Sequence, residues 1–300
     1  MIWMLTTALA GPWVPHPEGR YLVVNEVLLP RAVWFNDLEG RFGFETRSWQ
    51  ARAVLGCTAT EGKRDRREVV CTVEDAALQA SAFQRTPDDD PTQTASVLEA
   101  FEGHLRGSSL HVTLTERGRR TRWRVEGEPE GSLRHTDIGR LVGLILERTA
   151  VALVSERPRD TLDVGGQWVA SGPALMSYPM EEGAKPLGSA QLLHQVSALG
   201  DRVVIDAAGE GAMLDPVSNE QLRSVLRARS VWSATGAVRE RTWSLDASVL
   251  DVVTYHHAGW LRRLGADAPV PELGPTRQVR GPGVAEGDDL AGLPAWPELR

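Results

Sequence analysis

Lysine is nearly missing from this 300-residue chain: only Lys63 and Lys185 are present, so Arg carries almost all of the positive charge. Acidic residues outnumber basic ones and leave a formal net charge of −7. That balance excludes a protein that holds nucleic acid or an anionic lipid surface by charge. Cysteine is scarce too, with only Cys57 and Cys71, which excludes a disulfide-dense scaffold and a paired-ligand zinc site. The chain has no GxSxG elbow, no HExxH, no phosphate loop and no paired CxxC. Gly209-Glu210-Gly211 lacks the third glycine of a dinucleotide fingerprint. No catalytic residue, metal ligand or cofactor site is therefore assigned, and the expectation is a protein that is not an enzyme. A Ser/His/Asp arrangement drawn from distant residues stays open, because triads are recognised by geometry.

No apolar run is long enough for a transmembrane helix. The first ten residues, MIWMLTTALA, are apolar, and Ala8-Leu9-Ala10 before Gly11 fits a small-x-small cleavage site. Residues 1–10 read as a signal peptide cut between Ala10 and Gly11, although no basic n-region precedes the run. An N-terminal strand or a start codon placed elsewhere are the rival readings. A signal sequence implies a secreted or periplasmic protein.

What the sequence has in quantity is β signal. Ten Trp stand against three Tyr, several of them inside strand-like runs where large rings fill curved sheets. Arg20 to Pro30 and Phe42 to Thr58 are rich in β-branched and aromatic residues. Cys57 and Cys71 flank the charged turn EGKRDRRE. Setting Cys57 opposite Cys71 also sets Leu55 opposite Val73 and Ala59 opposite Val69, so one face of the hairpin is apolar throughout. Two directly opposed cysteines are close enough to bridge, and a bridge needs an oxidising compartment. The alternative is two free buried thiols. Leu110 to Val125 reads as a hairpin turning at Arg117-Gly118, with Leu114 opposite Thr121, Val112 opposite Trp123 and Leu110 opposite Val125. Its five arginines resemble a nucleic-acid patch until alternation places Arg120, Arg122 and Arg124 on one solvated face.

Ser189 to Gly209 turns at Gly200-Asp201, setting Ala198 opposite Val203, Val196 opposite Ile205 and His194 opposite Ala207. His194 then lies on an apolar face, either as a core residue or as one that faces a ligand. Leu162 to Ser171 and Arg229 to His257 supply further strands. His256 and His257 point to opposite faces of a strand and cannot readily share a metal. Asp88-Asp89-Asp90 lacks the spacing and glycine of a calcium loop. Ser96 to Leu105 is ambiguous between helix and strand.

The longest helical signal is Asp137 to Val154, DIGRLVGLILERTAVALV. At 100° per residue, Ile138, Leu141, Val142, Ile145 and Leu146 share one broad arc opposite Arg140 and Glu147. Asp137 suits the first turn and Pro158 lies beyond the end. The fold expected is α+β but mostly β: curved antiparallel sheets built from hairpins and packed on this one long central helix. A single domain spans 20–264, with halves 20–135 and 160–264 on either side of the helix at 137–154. Residues 265–300, rich in Pro and Gly, read as a flexible tail.

This order of strands, central helix and strands resembles uncharacterised secreted β-rich bacterial proteins. It is also loosely similar to periplasmic lipoprotein-carrier folds, in which a curved antiparallel sheet wraps helices around an apolar cavity. The resemblance is architectural, covers roughly residues 20–260, and transfers no functional residue; the Cys57/Cys71 hairpin is not a hallmark of the carriers. The broad apolar helix face and the supply of Trp in strands point to an apolar small molecule, a lipid or a lipidated partner held between sheet and helix. Ile138, Leu141, Val142, Ile145, Leu146 and His194 are the candidates for lining that space. An envelope protein with a solid core, acting through sheet edges or the tail, is the alternative, and a hydrolase with an unrecognised site is the third reading.

Overall fold

Alternation of apolar and polar residues dictates most of the architecture seen in a computed structural model of the chain, which describes residues 16–36, 43–61, 66–82, 91–115, 120–126, 162–173, 188–214, 221–249 and 252–270. These residues form eleven strands and one helix: β1 (Gly19–Asn36), β2 (Gly43–Glu61), β3 (Arg66–Ala82), α1 (Pro91–Arg106), β4 (Ser109–Thr115), β5 (Arg120–Glu126), β6 (Gln167–Pro173), β7 (Gly188–Leu199), β8 (Arg202–Leu214), β9 (Gln221–Ser233), β10 (Val238–Val249) and β11 (Val252–Leu264). In β4 the rule is plain. Leu110, Val112 and Leu114 are buried, and the residues between them are partly exposed.

All eleven strands join one sheet in the order β5-β4-β3-β2-β1-β11-β10-β9-β8-β7-β6, each pair antiparallel. The chain runs outward from the centre through β5, re-enters at the far edge with β6, and works back until β11 lies against β1. The first and last strands pair from Arg20↔Leu264 to Leu28↔His256, so the two halves of the sequence share a single sheet. Six of the strand pairs carry a register shift, and such bulges bend a sheet.

One face of the sheet, called inward here, carries a continuous apolar cluster. It includes Tyr21, Val23, Leu55, Val69, Leu110, Val203, Ile205, Trp232 and Leu261, and it takes in Phe101 and Leu105 of α1. The same helix closes a gap in the sheet. β4 pairs with β3 only between Arg66 and Thr72, and beyond that point the edge of β3 is met by α1 instead. Glu102 Oε1 accepts the Leu78 N–H at 3.1 Å, and Arg106 donates to the Ala76 carbonyl at 2.9 Å. Backbone groups that a free edge would offer to another chain are thereby satisfied.

These findings correct the expected fold class. The described residues are almost wholly β, and no long helix among them packs on the sheet; their single helix stands where the sequence was ambiguous. Residues 137–154, with Ile138, Leu141, Val142, Ile145 and Leu146, lie outside the described residues. The physical reason is that an amphipathic period shows only that a segment has an apolar face. It does not show which surface needs covering. The faces assigned to two separate hairpin layers belong to one continuous sheet with one shared core.

The outward face carries charged pairs beside a smaller apolar cluster of Leu22, Val24 and Val54. Arg20–Glu74, Arg52–Asp75, Arg124–Glu126 and Arg223–Glu210 pair across it at 2.6–2.8 Å. No described helix is long and apolar enough to cross a membrane.

Close packing on the inward face fixes Gly259 of β11. It pairs with Trp243 of β10, whose indole lies across it, and a Cβ built on Gly259 would run into Cζ2 and Cε2 of that ring. Gly259→Ala is expected to destabilise by about 1–3 kcal/mol through overpacking, read as a lower urea midpoint at unchanged slope.

Candidate functional site

The two cysteines are bridged. Cys57 and Cys71 are direct partners in the β2–β3 register, with Cα atoms 4.0 Å apart, and the bridge lies within the core. Both flanking pairs, Leu55↔Val73 and Ala59↔Val69, are present. The bridge fits an oxidising compartment.

His194 takes its place on the inward face of β7, opposite Ala207, and is 4% exposed. Its ring stacks on Trp168 of β6, with centroids 5.1 Å apart and planes 10° from parallel. Neither His194 ring nitrogen has a hydrogen-bond partner, nor does Trp168 Nε1. Burial pushes the imidazole pKa down to about 4, and the positive charge of Arg241 adds to the effect. His194 is therefore a neutral ring with one donor and one acceptor held at the surface of an apolar cluster.

Further polar groups share that face. Asn25 of β1 is buried, and its Oδ1 lies 3.2 Å from His257 Nε2 of β11. Asn25 Nδ2 has no partner, and the same holds for Trp49 Nε1 and Ser224 Oγ. A buried polar atom left unpaired costs about 1–3 kcal/mol. Several on one apolar face set it apart from an ordinary core, where nearly all such groups are paired.

Sequence reasoning found His194 and missed Asn25, Trp49, Trp168 and Ser224. The signal for Asn25 was available. Tyr21 and Val23 alternate inward along RYLVVNEV, and the next inward position is Asn25. Trp168 needed the β6–β7 register, which no tight turn announces.

The described residues contain no catalytic assembly around these histidines. His257 is directed at Asn25, and His194 meets neither acid nor nucleophile. His256 lies on the other face from His257, with Nδ1 2.5 Å from Asp246 Oδ1. This is the orienting half of a triad, and its Nε2 touches no nucleophile. No three His, Cys, Asp or Glu residues gather into a metal-binding group among the described residues. Ala10, Gly11 and Asp88-Asp89-Asp90 lie outside the described residues. No protein-family model matches the chain, and no curated protein matches it in sequence.

Proposed function

We propose that this is a non-enzymatic binding protein, secreted or periplasmic, that holds an apolar ligand or the lipid part of a partner against the inward face of its sheet. The observation that carries the reading is the company His194 keeps. A neutral imidazole, an indole N–H, an amide nitrogen and a hydroxyl are buried without hydrogen-bond partners beside a continuous apolar cluster. Sites for small apolar ligands combine a mostly apolar lining with a few convergent polar groups. The disulfide supports the compartment, and the apolar start of the chain supports export.

Native mass spectrometry of the exported protein tests the reading. The expected result is a population heavier than the bare chain that loses a lipid-sized mass on solvent extraction. A protein at its bare mass that also fails to bind a fluorescent acyl probe overturns it.

A second reading, an envelope interaction protein, draws on one observation. Val169 and Leu193 are cross-strand partners on β6 and β7, 60% and 46% exposed, beside the β6 edge of the sheet. An apolar pair at an edge suits a protein contact.

A further inference from the structure

β1 is apolar on both faces near its start. Tyr21 and Val23 join the inward cluster, while Leu22 and Val24 meet Val54 of β2 in a separate cluster on the outward face. Those three outward residues are at most 4% exposed. Across the strands, Leu22 pairs with Val54, Val24 with Trp260, and Arg20 with Leu264. A sheet that is apolar on both faces needs a cover on both.

Part of the outward cover is the chain itself. After β11 the backbone turns at Gly265, whose carbonyl accepts the Ala268 N–H, and Val270 packs against the cluster. Residues 265–270, which composition alone assigns to a flexible tail, are thus docked. Burial alternates along them: Ala268 and Val270 are partly buried, and Asp267 and Pro269 are exposed. Each of the two partly buried residues precedes a proline, Pro269 or Pro271, which favours extended backbone at that position.

Arg20 fastens the segment. Its Nη1 donates to the Ala266 carbonyl at 3.2 Å and to the Ala268 carbonyl at 3.1 Å. Its Nε donates to Glu74 Oε2 of β3 at 2.8 Å. Gly56, the partner of Arg20 on β2, leaves room for that ion pair, because a Cβ there would collide with the Glu74 carboxylate. A guanidinium held on one side by a carboxylate presents its remaining donors in a fixed direction. Both acceptors are main-chain carbonyls, so the clamp reads an extended backbone, and the apolar cluster beside it reads a small apolar side chain.

We propose that the outward face of β1, β2 and β11 is a docking surface for an extended, proline-spaced apolar segment, and that residues 266–270 are its built-in occupant, latched by Arg20. This surface lies on the other side of the sheet from the proposed ligand face and does not depend on it.

The first test uses an endoprotease that cuts on the amino side of Asp, with mass spectrometry of the Ala266–Asp267 bond in the full-length, disulfide-bonded protein. When closing is faster than cutting, the rate follows the open population. The bond is expected to be cut at least about tenfold more slowly than in the free peptide LGADAPVPE, which spans residues 264–272. Arg20→Ala is expected to speed cutting about tenfold, the scale of one charge-assisted hydrogen bond, and Val270→Ser to speed it as well. Val169→Ser, at an exposed site on the β6 edge, should leave the rate unchanged. The second test follows anisotropy of the same peptide, labelled, on the full-length proteins. Val270→Ser should bind it in the millimolar range, the effective concentration of a short tether, and wild type about fivefold or more weakly because its own segment competes.

Cutting of the native protein as fast as the peptide overturns the docked segment. Slow cutting that neither Arg20→Ala nor Val270→Ser accelerates overturns the latch. Equal peptide binding by wild type and Val270→Ser, or none by either, overturns the docking surface and leaves only a structural strap. Should a variant not fold, the wild-type rate against the free peptide still decides whether the segment is held.

Discussion

Cys57→Ala/Cys71→Ala protein is expected to unfold about 3 kcal/mol more easily than the oxidised wild type, the scale for a bridge that joins residues 14 apart in sequence. The argument is mainly about the unfolded chain. Without the bridge, the segment between β2 and β3 gains conformational freedom on unfolding that the oxidised chain never has. The native state loses something as well, because both sulfurs lie in the inward cluster and alanine leaves part of their volume empty. Urea melts of the two proteins check the number, and a difference below about 1 kcal/mol would refute it. Burial adds a kinetic corollary. A thiol reductant reaches these sulfurs only when the core opens, so the folded protein should keep its bridge under conditions that reduce it in urea.

That bridge is also where the sequence was most informative. The Cys57–Cys71 register was legible because one tight hairpin and one apolar face allow only one alignment, and a slip by one residue would turn every side chain over. The same reasoning placed His194 opposite Ala207 and Val196 opposite Ile205, as observed. It failed one step further along, where Ala198 pairs with Val204 and not with Val203, because a bulge intervenes after Val196. Leu114 likewise pairs with Arg120 and not with Thr121, after a shift at Thr113. Alternation sees a period of two, and an extra residue in one strand leaves that period locally unchanged.

Long-range features were not legible for a different reason. The β1–β11 pairing joins the first and last strands of the sequence with no turn between them to fix a register. That pairing merges the hairpins into one sheet, and without it the sequence invites a helix to cover each apolar face. Leu98, Phe101 and Leu105 do carry a helical spacing, but the segment is short and its role depends on β4 ending its pairing at Thr72 of β3, which is tertiary information. The candidate site was half legible. Alternation alone marks an Asn or a His on an apolar face, whereas the absence of a partner for each is visible only once the sheet is assembled.

The largest pH effect is expected from His194. In the unfolded chain its imidazole titrates at the ordinary value of 6.5, and in the folded protein at about 4, because burial, and secondarily Arg241, disfavour the cation. Between these values the unfolded chain binds a proton that the native state does not, so stability rises with pH across the window. Above pH 6.5 the His194 contribution is flat. As pH falls from 6.5 to 4 the protein loses 1.36 kcal/mol per pH unit, about 3 kcal/mol in all. Below pH 4 both states are protonated and the loss levels off. His16 and His104 are also held below the usual histidine value, chiefly by burial, and they tilt the curve the same way. Urea melts from pH 7 to pH 4 therefore need His194→Phe beside the wild type. Phenylalanine keeps a flat ring against Trp168 and removes both unpartnered nitrogens. Its stability should change with pH by about 3 kcal/mol less over the window, and it should exceed the wild type at pH 5. Parallel curves for the two proteins would mean that His194 has found a proton partner. The prediction also bears on binding. A lipid that offered an acidic group to this imidazole would raise its pKa toward the ordinary value and shrink the pH-dependent loss, whereas a ligand that only covers the Trp168–His194 stack would leave it as large or larger.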